Sequence, residues 1–289
     1  MTNSPVQALR HALPYLGHYR GKAFVVKLGG EAVAQPAALA SLIEQVAILS
    51  ALGIRVVVVH GGGPQTNGLS ERLGLVPQFV DGRRVTDLEA LDAAVMAING
   101  QTQAAILAAC RKQGLAAVGL SGIDAGLVDA VKRPPVKTST GQTDFGLVGE
   151  ICSINPAPIE MALSSGTVPV VSPISCDNQG QILNINADDV AARIATAVGA
   201  AKLVIVTTPR GILREVADPN SLITQITLDE LDALQSDGTV RAGMLPKVSA
   251  VKTALRGGVE RVHVVGLSFP DCLLTEVFTN EGCGTLILP

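Results

Sequence analysis

The sequence predicts an α/β protein, a three-layer αβα sandwich around a mainly parallel open sheet. Short Val-rich runs recur along the chain, stretches of helical period lie among them, and no internal repeat or low-complexity tract breaks the pattern. A continuous β-branched run reads as a strand buried on both faces, and strand, helix, strand in succession is the unit from which parallel sheets are wound.

Ala23 to Leu28 is the first such strand. Leu39 to Leu52 carries apolar residues at helical spacing and stops before Gly53, a residue suited to the left-handed conformation past a helix end. Arg55 to Val59 is the second strand, and Thr167 to Val171, Leu203 to Thr207 and Val262 to Val265 are further strand candidates. Helical stretches at Asp188 to Val198 and Lys247 to Leu255 lie near them. From Val131 to Val148 the chain is rich in Thr, Gly and Pro and lacks helical period, which predicts short antiparallel strands or a hairpin over the site. No flexible linker is evident, so two lobes must share one continuous sheet or a tight hinge.

Composition narrows the function. A chain of 289 residues with 47% hydrophobic and 16% charged residues can bury a large core and is not a disordered chain. The balance of 22 Lys and Arg against 25 Asp and Glu gives a formal net charge of -3, and aromatics make up 2% with no Trp. Neither nucleic acid nor an anionic membrane is expected as a partner, so the substrate is small. No stretch reads as the roughly 20 apolar residues needed to span a bilayer, and polar residues interrupt any signal-like core at the N-terminus. The expected location is the cytoplasm. Cys110, Cys152, Cys176, Cys272 and Cys283 are odd in number and widely spaced, and read as buried reduced thiols. The four histidines show no ligand spacing, so no protein-held metal is expected.

Three glycine-rich turns follow strands. Neither G-x-x-x-x-G-K-[ST] nor G-x-G-x-x-G is present, since Thr66 stands where the dinucleotide motif needs its third glycine. What remains is Lys27-Leu28-Gly29-Gly30 after one strand and His60-Gly61-Gly62-Gly63-Pro64 after the next, the latter opening a helix. Such turns expose backbone N–H groups as an anion-binding nest at the carboxyl edge of a parallel sheet. Lys27 lies inside an apolar run, where an ammonium is costly to bury unless it meets an anion. Asp188 begins a helical stretch as an N-cap or first-turn acid. Lys247 stands at a helix start, where the dipole disfavours a cation and a bound phosphate would compensate it.

Six segments in register, Val-Val-Lys-Leu-Gly-Gly at 25–30, Val-His-Gly-Gly-Gly-Pro at 59–64, Gly-Arg-Arg-Val-Thr at 82–86, Asp-Phe-Gly-Leu-Val-Gly at 144–149, Asn-Ile-Asn-Ala-Asp at 184–188 and Ala-Gly-Met-Leu-Pro-Lys-Val at 242–248, resemble the amino acid kinase family, and within it the N-acetyl-L-glutamate kinases. The resemblance implies the amino acid kinase fold and ATP-dependent phosphorylation of the side-chain carboxylate of N-acetyl-L-glutamate, with Mg2+ arriving on ATP. It implies an N-terminal helix for oligomerisation at 1–22, an acyl amino acid-binding lobe at 23–199 and an ATP-binding lobe at 200–289. Lys27 and Lys247 would flank the transferring group and Asp188 would hold both ammonium groups. Gly62, Gly63, Arg84 and Asn184 would bind the acyl substrate, and Gly29, Gly30, Thr208, Gly211 and Met244 the phosphates and nucleotide. Read without the resemblance, Arg84 is equally a surface cation paired with Asp81 or Asp87. Related acceptors such as N-acetyl-aminoadipate or a carrier-linked acid, and a non-catalytic arginine-sensing relative, stay open.

Two stretches depart from the family pattern. Thr208 stands where an Asp is usual in the nucleotide-binding lobe, and Gly266-Leu267-Ser268 stands where Asp-Gly-Arg is common. Before the first strand, Val6, Leu9, Leu13 and Leu16 form an apolar stripe at helical spacing. The segment 12–22 and the C-terminal segment 278–285 resemble those of the arginine-inhibited hexamers. That resemblance implies a homo-oligomer, dimer or hexamer, with L-arginine as inhibitor near Glu281 and Gly284.

Overall fold

In the computed structural model, residues 5–139, 141–215, 218, 220–238, 244–279 and 282–289 are described, with the side chains of all of these except 5–9 and 11. Eight strands form the central sheet: β1 (Ala23–Leu28), β2 (Arg55–His60), β3 (Ala117–Ser121), β4 (Val168–Ser172), β5 (Lys202–Thr207), β6 (Gln225–Thr227), β7 (Arg261–Gly266) and β8 (Thr285–Leu288). Their order is β6-β8-β7-β5-β1-β2-β4-β3, with every pairing parallel except β7 with β8. This is the predicted mainly parallel open sheet, and it runs unbroken from one half of the chain to the other.

Period-2 alternation sends the Val-rich strands into two cores. Val25, Val57, Val59, Leu203, Ile205, Val262 and Val264 face one side. Phe24, Val26, Leu28, Val56, Val58, Val204 and Val206 face the other. The first side is covered by α5 (Ala187–Ala197) and α6 (Leu245–Arg256), and the second by α2 (Pro36–Ala51), α4 (Leu88–Lys112) and α7 (Cys272–Phe278). The N-terminal helix is α1 (Pro5–Tyr19), and α3 (Gly63–Arg72) follows β2. Pro36 opens α2, and Gly53 turns the chain out of it at φ +86°.

The predicted 131–148 hairpin region holds strands Val136–Thr138 and Gly141–Thr143, paired antiparallel. It hangs from a second sheet ordered Ile182–Asn184, Ile174–Cys176, Val128–Lys132, Gly149–Ile154. Another hairpin, Gln78–Val80 with Arg83–Val85, turns through Asp81 and Gly82, both at positive φ, the two-residue turn that suits strand twist.

Two sequence expectations need correction. Leu88–Lys112 is long and apolar enough, by length and composition, to cross a bilayer, where no such stretch was expected. Its inward residues Leu91, Ala94, Ile98, Ile106 and Cys110 are buried in the protein core. The cysteines are all free, but only Cys110, Cys272 and Cys283 are buried; Cys152 is exposed because its position on the Gly149–Ile154 strand alternates away from buried Ile151.

Candidate active site

The carboxyl ends of β1, β2 and β5 meet at one edge of the sheet, with Lys27 opposite Val59 on one side and Ile205 on the other. Alternation decides where Lys27 points. It follows Val25 on the face covered by α5, and only 6% of it is exposed.

Its partner is Asp188, in the first turn of α5. Asn186 caps that helix, its Oδ1 accepting the N–H of Asp188 at 2.7 Å and of Asp189 at 3.3 Å. Lys27 Nζ lies 2.8 Å from Asp188 Oδ1, and Lys247 Nζ, from the first turn of α6, lies 3.6 Å from Oδ2. Burial raises the Asp188 pKa, but the charges of Lys27 and then Lys247 outweigh it, and the carboxyl is held below the usual range. One carboxylate thus organises two ammonium groups, one from each half of the chain.

The glycine turns close around this trio. A Cβ on Gly30 would stand 2.6 Å from Pro64 Cδ and 3.0 Å from the Gly63 nitrogen, so the two turns pack at a distance that only glycine permits. A Cβ on Gly62 would meet Ile98 Cγ1 at 2.7 Å, because the π-helical turn Met96–Thr102 within α4 lies against it.

A cleft of about 650 Å3 opens here, and its walls include Lys27, Gly30, Gly62, Gly63, Arg84, Asn184, Asp188 and Lys247. Eight of the residues singled out in the sequence therefore converge. Arg84 does not pair with Asp81 or Asp87. It donates to Asn67 Oδ1 and lies 4.9 Å from the Phe79 ring centroid, while Asp81 accepts from Ser139 and Asp87 caps the start of α4. Arg84 Nη1 is buried with no hydrogen-bond partner among the described residues, which leaves a guanidinium edge for a carboxylate.

The other expected residues lie outside that wall. Gly29 is the N-cap of the short helix Gly30–Val33, and Thr208 is exposed just past β5. Gly211 is buried, where a Cβ would stand 2.6 Å from Thr285 Oγ1. Met244 is the N-cap of α6 and packs against the first core, while Ala242, Gly243 and Glu281 lie outside the described residues. Gly284 is buried against β7, a Cβ there meeting the Val264 carbonyl at 2.2 Å, and its N–H donates to Glu276 at 3.3 Å.

The structure adds residues that the sequence reading passed over. Asp189 lines the cleft with Arg133; burial pushes its carboxyl up to about 6, with Arg133 opposing and Asp188 adding to the rise. Behind the sheet, Glu276 accepts from the His263 ring at 2.8 Å and from the Cys283 N–H at 2.8 Å. Buried Lys202 lies beside them, 4.8 Å from the Tyr19 ring at the end of α1. Its burial lowers the Lys202 pKa to about 8. A lysine in the strand Lys202–Thr207 carried the same signal as Lys27, a cation in an apolar run.

Comparison with known proteins places this geometry. The pattern of the amino acid kinase family matches residues 22–266. The chain belongs to the amino acid kinase family. An acetylglutamate kinase from Myxococcus xanthus (strain DK1622) is 45% identical over 294 residues, covering 100% of this chain and 96% of that one. An acetylglutamate kinase from Archaeoglobus fulgidus is 41% identical over 288 residues, covering 98% and 99%. Among solved structures, the N-acetylglutamate synthase from Neisseria gonorrhoeae, complexed with coenzyme A and N-acetyl-glutamate, superposes with a TM-score of 0.86 at 28% identity. That match covers 99% of this chain and 64% of that one. A second structure of that synthase holds coenzyme A and L-arginine and matches with a TM-score of 0.85 at 27% identity. The amino acid kinase fold is thus common to this chain and to proteins that share little else in sequence.

Proposed function

We propose that this amino acid kinase transfers the γ-phosphoryl group of ATP to the side-chain carboxylate of N-acetyl-L-glutamate, giving N-acetyl-L-glutamyl 5-phosphate and ADP, a step of arginine biosynthesis. The observation that carries the reading is the pair of ammonium groups, Lys27 and Lys247, held by Asp188 at the mouth of two glycine turns. A carboxylate oxygen attacks the γ-phosphorus, and the bond to the oxygen bridging to the β-phosphate breaks, its electrons leaving on ADP. The acceptor is ionised at neutral pH, so no general base is needed. What the reaction needs is charge neutralisation and alignment of two anions.

Lys27 then stabilises the transferring group and Lys247 the departing diphosphate, with Asp188 as the organiser. The N–H groups of Gly30, Gly62 and Gly63 meet the phosphoryl oxygens and the accepting carboxylate. Arg84 and Asn184 grip the carboxylate that does not react. On this reading 23–199 binds the acyl amino acid, and 200–289 binds ATP through Thr208, Gly211 and Met244, with Gly29 and Gly30 reaching across the seam. No group of three or more His, Cys, Asp or Glu that would hold a metal occurs among the described residues. An Mg2+ would arrive on the nucleotide, held by phosphates and water, where it would offset phosphate charge. The enzyme acts in the cytoplasm.

Acyl-phosphate formation trapped with hydroxylamine tests the reading, comparing N-acetylglutamate with free glutamate and N-acetyl-aminoadipate. Preference for N-acetyl-aminoadipate reassigns the acceptor. No product with any acid favours a sensing protein.

We further propose a homo-oligomer, dimer or hexamer, assembled through α1 and inhibited by L-arginine. Leu13 of the apolar stripe is 58% exposed, and a short helix gains stability from a partner surface. With Gly284 committed to packing, buried Glu276 and His263 behind the same segment are the groups through which an effector there would act.

A further inference from the structure

We infer that His60 is a positioning residue for phosphoryl transfer, a clamp whose ring N–H fixes the Gly61–Gly62 peptide so that the Gly62 N–H is aimed into the cleft. The inference rests on the kinase reading above and adds a residue to it.

His60 is the last residue of β2 and has no exposed surface. Alternation places it with Val56 and Val58 on the face opposite the Lys27–Asp188 pair. Its Nδ1 lies 3.0 Å from the Gly61 carbonyl oxygen, and its Nε2 is buried with no hydrogen-bond partner among the described residues. A carbonyl only accepts, so this contact requires the hydrogen on Nδ1. Burial lowers the His60 pKa to about 4, with the Gly61 contact opposing and Lys27 adding to the fall. At neutral pH the ring therefore carries one hydrogen, on Nδ1, and Nε2 is a bare lone pair.

The consequence passes through the peptide plane. No peptide bond among the described residues is cis, and in a planar trans peptide the C=O and the following N–H point in opposite directions. A Gly61 carbonyl drawn toward His60 on one face turns the Gly62 N–H away from it, toward the cleft that Gly61, Gly62 and Gly63 line. The neighbouring amide is already committed, since the Gly61 N–H donates to the Leu28 carbonyl at 3.0 Å. On the far side, the Gly62 carbonyl accepts from the Thr66 N–H and hydroxyl, both at 2.9 Å. The Gly62 N–H is thus held from both ends, and a side chain at Gly62 is excluded because its Cβ would meet Ile98 Cγ1 at 2.7 Å. A donor fixed before substrate arrives costs no reorganisation in the transition state.

The test compares variants by what they keep. Asn in place of His60 presents an amide N–H where Nδ1 stood; Gln places its donor one bond farther out; Leu fills similar space with none. For the full-length enzyme in the hydroxylamine assay, His60→Leu and His60→Gln are expected to lower kcat at least tenfold, with KM for both substrates changed less than threefold. His60→Asn is expected to recover turnover to within about fivefold of the parent, although it leaves the larger cavity. Loss of activity that follows the fall in melting temperature, with Asn no better than Leu, overturns the inference, as does a His60→Leu enzyme with parental kcat. A parent enzyme that forms no acyl phosphate sinks the kinase reading instead. Ring 15N NMR of the unmutated protein between pH 5 and 8 gives an independent check. His60 should show a protonated Nδ1 and a bare Nε2 throughout, and the opposite tautomer overturns the inference.

Discussion

The Lys27 ammonium stands 2.8 Å from a carboxylate oxygen of Asp188, across the gap between the central strand β1 and the first turn of α5. Both groups are nearly inaccessible, so neither is a solvated surface charge. If the pair serves phosphoryl transfer, Lys27→Ala or Lys247→Ala should lower kcat by about 100-fold or more, with a smaller change in KM for ATP. Asp188→Ala should be damaging too, and combining it with Lys27→Ala should add less than the sum of the single effects. Steady-state hydroxamate assays on the three single variants and one double variant decide this. A Lys27→Ala enzyme of near-normal turnover would falsify the assignment.

Arg84 has a buried Nη1 without a partner among the described residues and a guanidinium steadied by Asn67 and Phe79. Arg84→Lys keeps the charge and loses the fork, so KM for the acyl amino acid should rise about tenfold or more while KM for ATP changes little. Equal rises in both constants, measured by varying one substrate at saturation of the other, would mark Arg84 as structural.

The buried imidazole of His60 makes stability depend on pH. Its folded pKa is about 4, below the ordinary value of 6.5, so in this window the unfolded chain binds the extra proton. The contribution is fully present above pH 6.5 and is lost as pH falls toward 4, by roughly 3 kcal/mol at most. Urea unfolding at pH 7 and pH 5 should show the parent losing more stability than His60→Asn. Identical losses in the two proteins would exclude His60 as the source.

Leu13 is exposed on α1, while Tyr19 at the same helix's end is buried, takes a hydrogen bond from Arg261 at 3.2 Å and packs on Phe24. Deleting 1–20 would remove that core residue as well as exposed Leu13, so a point change is the cleaner probe. Leu13→Glu should leave specific activity within about twofold and shift the assembly to a smaller species. Response to millimolar L-arginine should weaken with it. Sedimentation of parent and variant at the same size, with the same arginine response, would exclude α1 as the joining surface.

Much of the fold is legible in the chain because burial leaves a plain mark. β1 is readable to the residue, since an unbroken apolar run holding one lysine fits a strand buried on both faces and little else. α5 and α6 are readable to within a residue or two at most ends. The helix Leu88–Lys112 escapes the sequence reading: it is rich in Ala, and its π turn at Met96–Thr102 adds a residue that throws the apolar spacing out of phase. β3 escapes it because Ala, Gly and Ser carry little strand preference, as befits the last strand at one edge of the sheet. At the site, the motif glycines and lysines announce themselves. Glu276 does not, because an acid in a short helix reads as solvated until the fold lays His263 and the 282–284 backbone against it.

Because β1 is paired along its length with β2 on one side and β5 on the other, the two halves of the chain are joined by a ladder of main-chain bonds and not by a swivel. Opening them like a clamshell would mean tearing the middle of the sheet, at the spot where Lys27 is anchored. Beyond the strand tips, residues of the hairpins at 78–85 and 136–143 and of the start of α6 line the mouth of the cleft. The seam is a fixed anvil, and substitutions in the overhanging hairpins away from Arg84 should alter how fast reactants enter and leave while sparing the chemistry at Lys27 and Lys247.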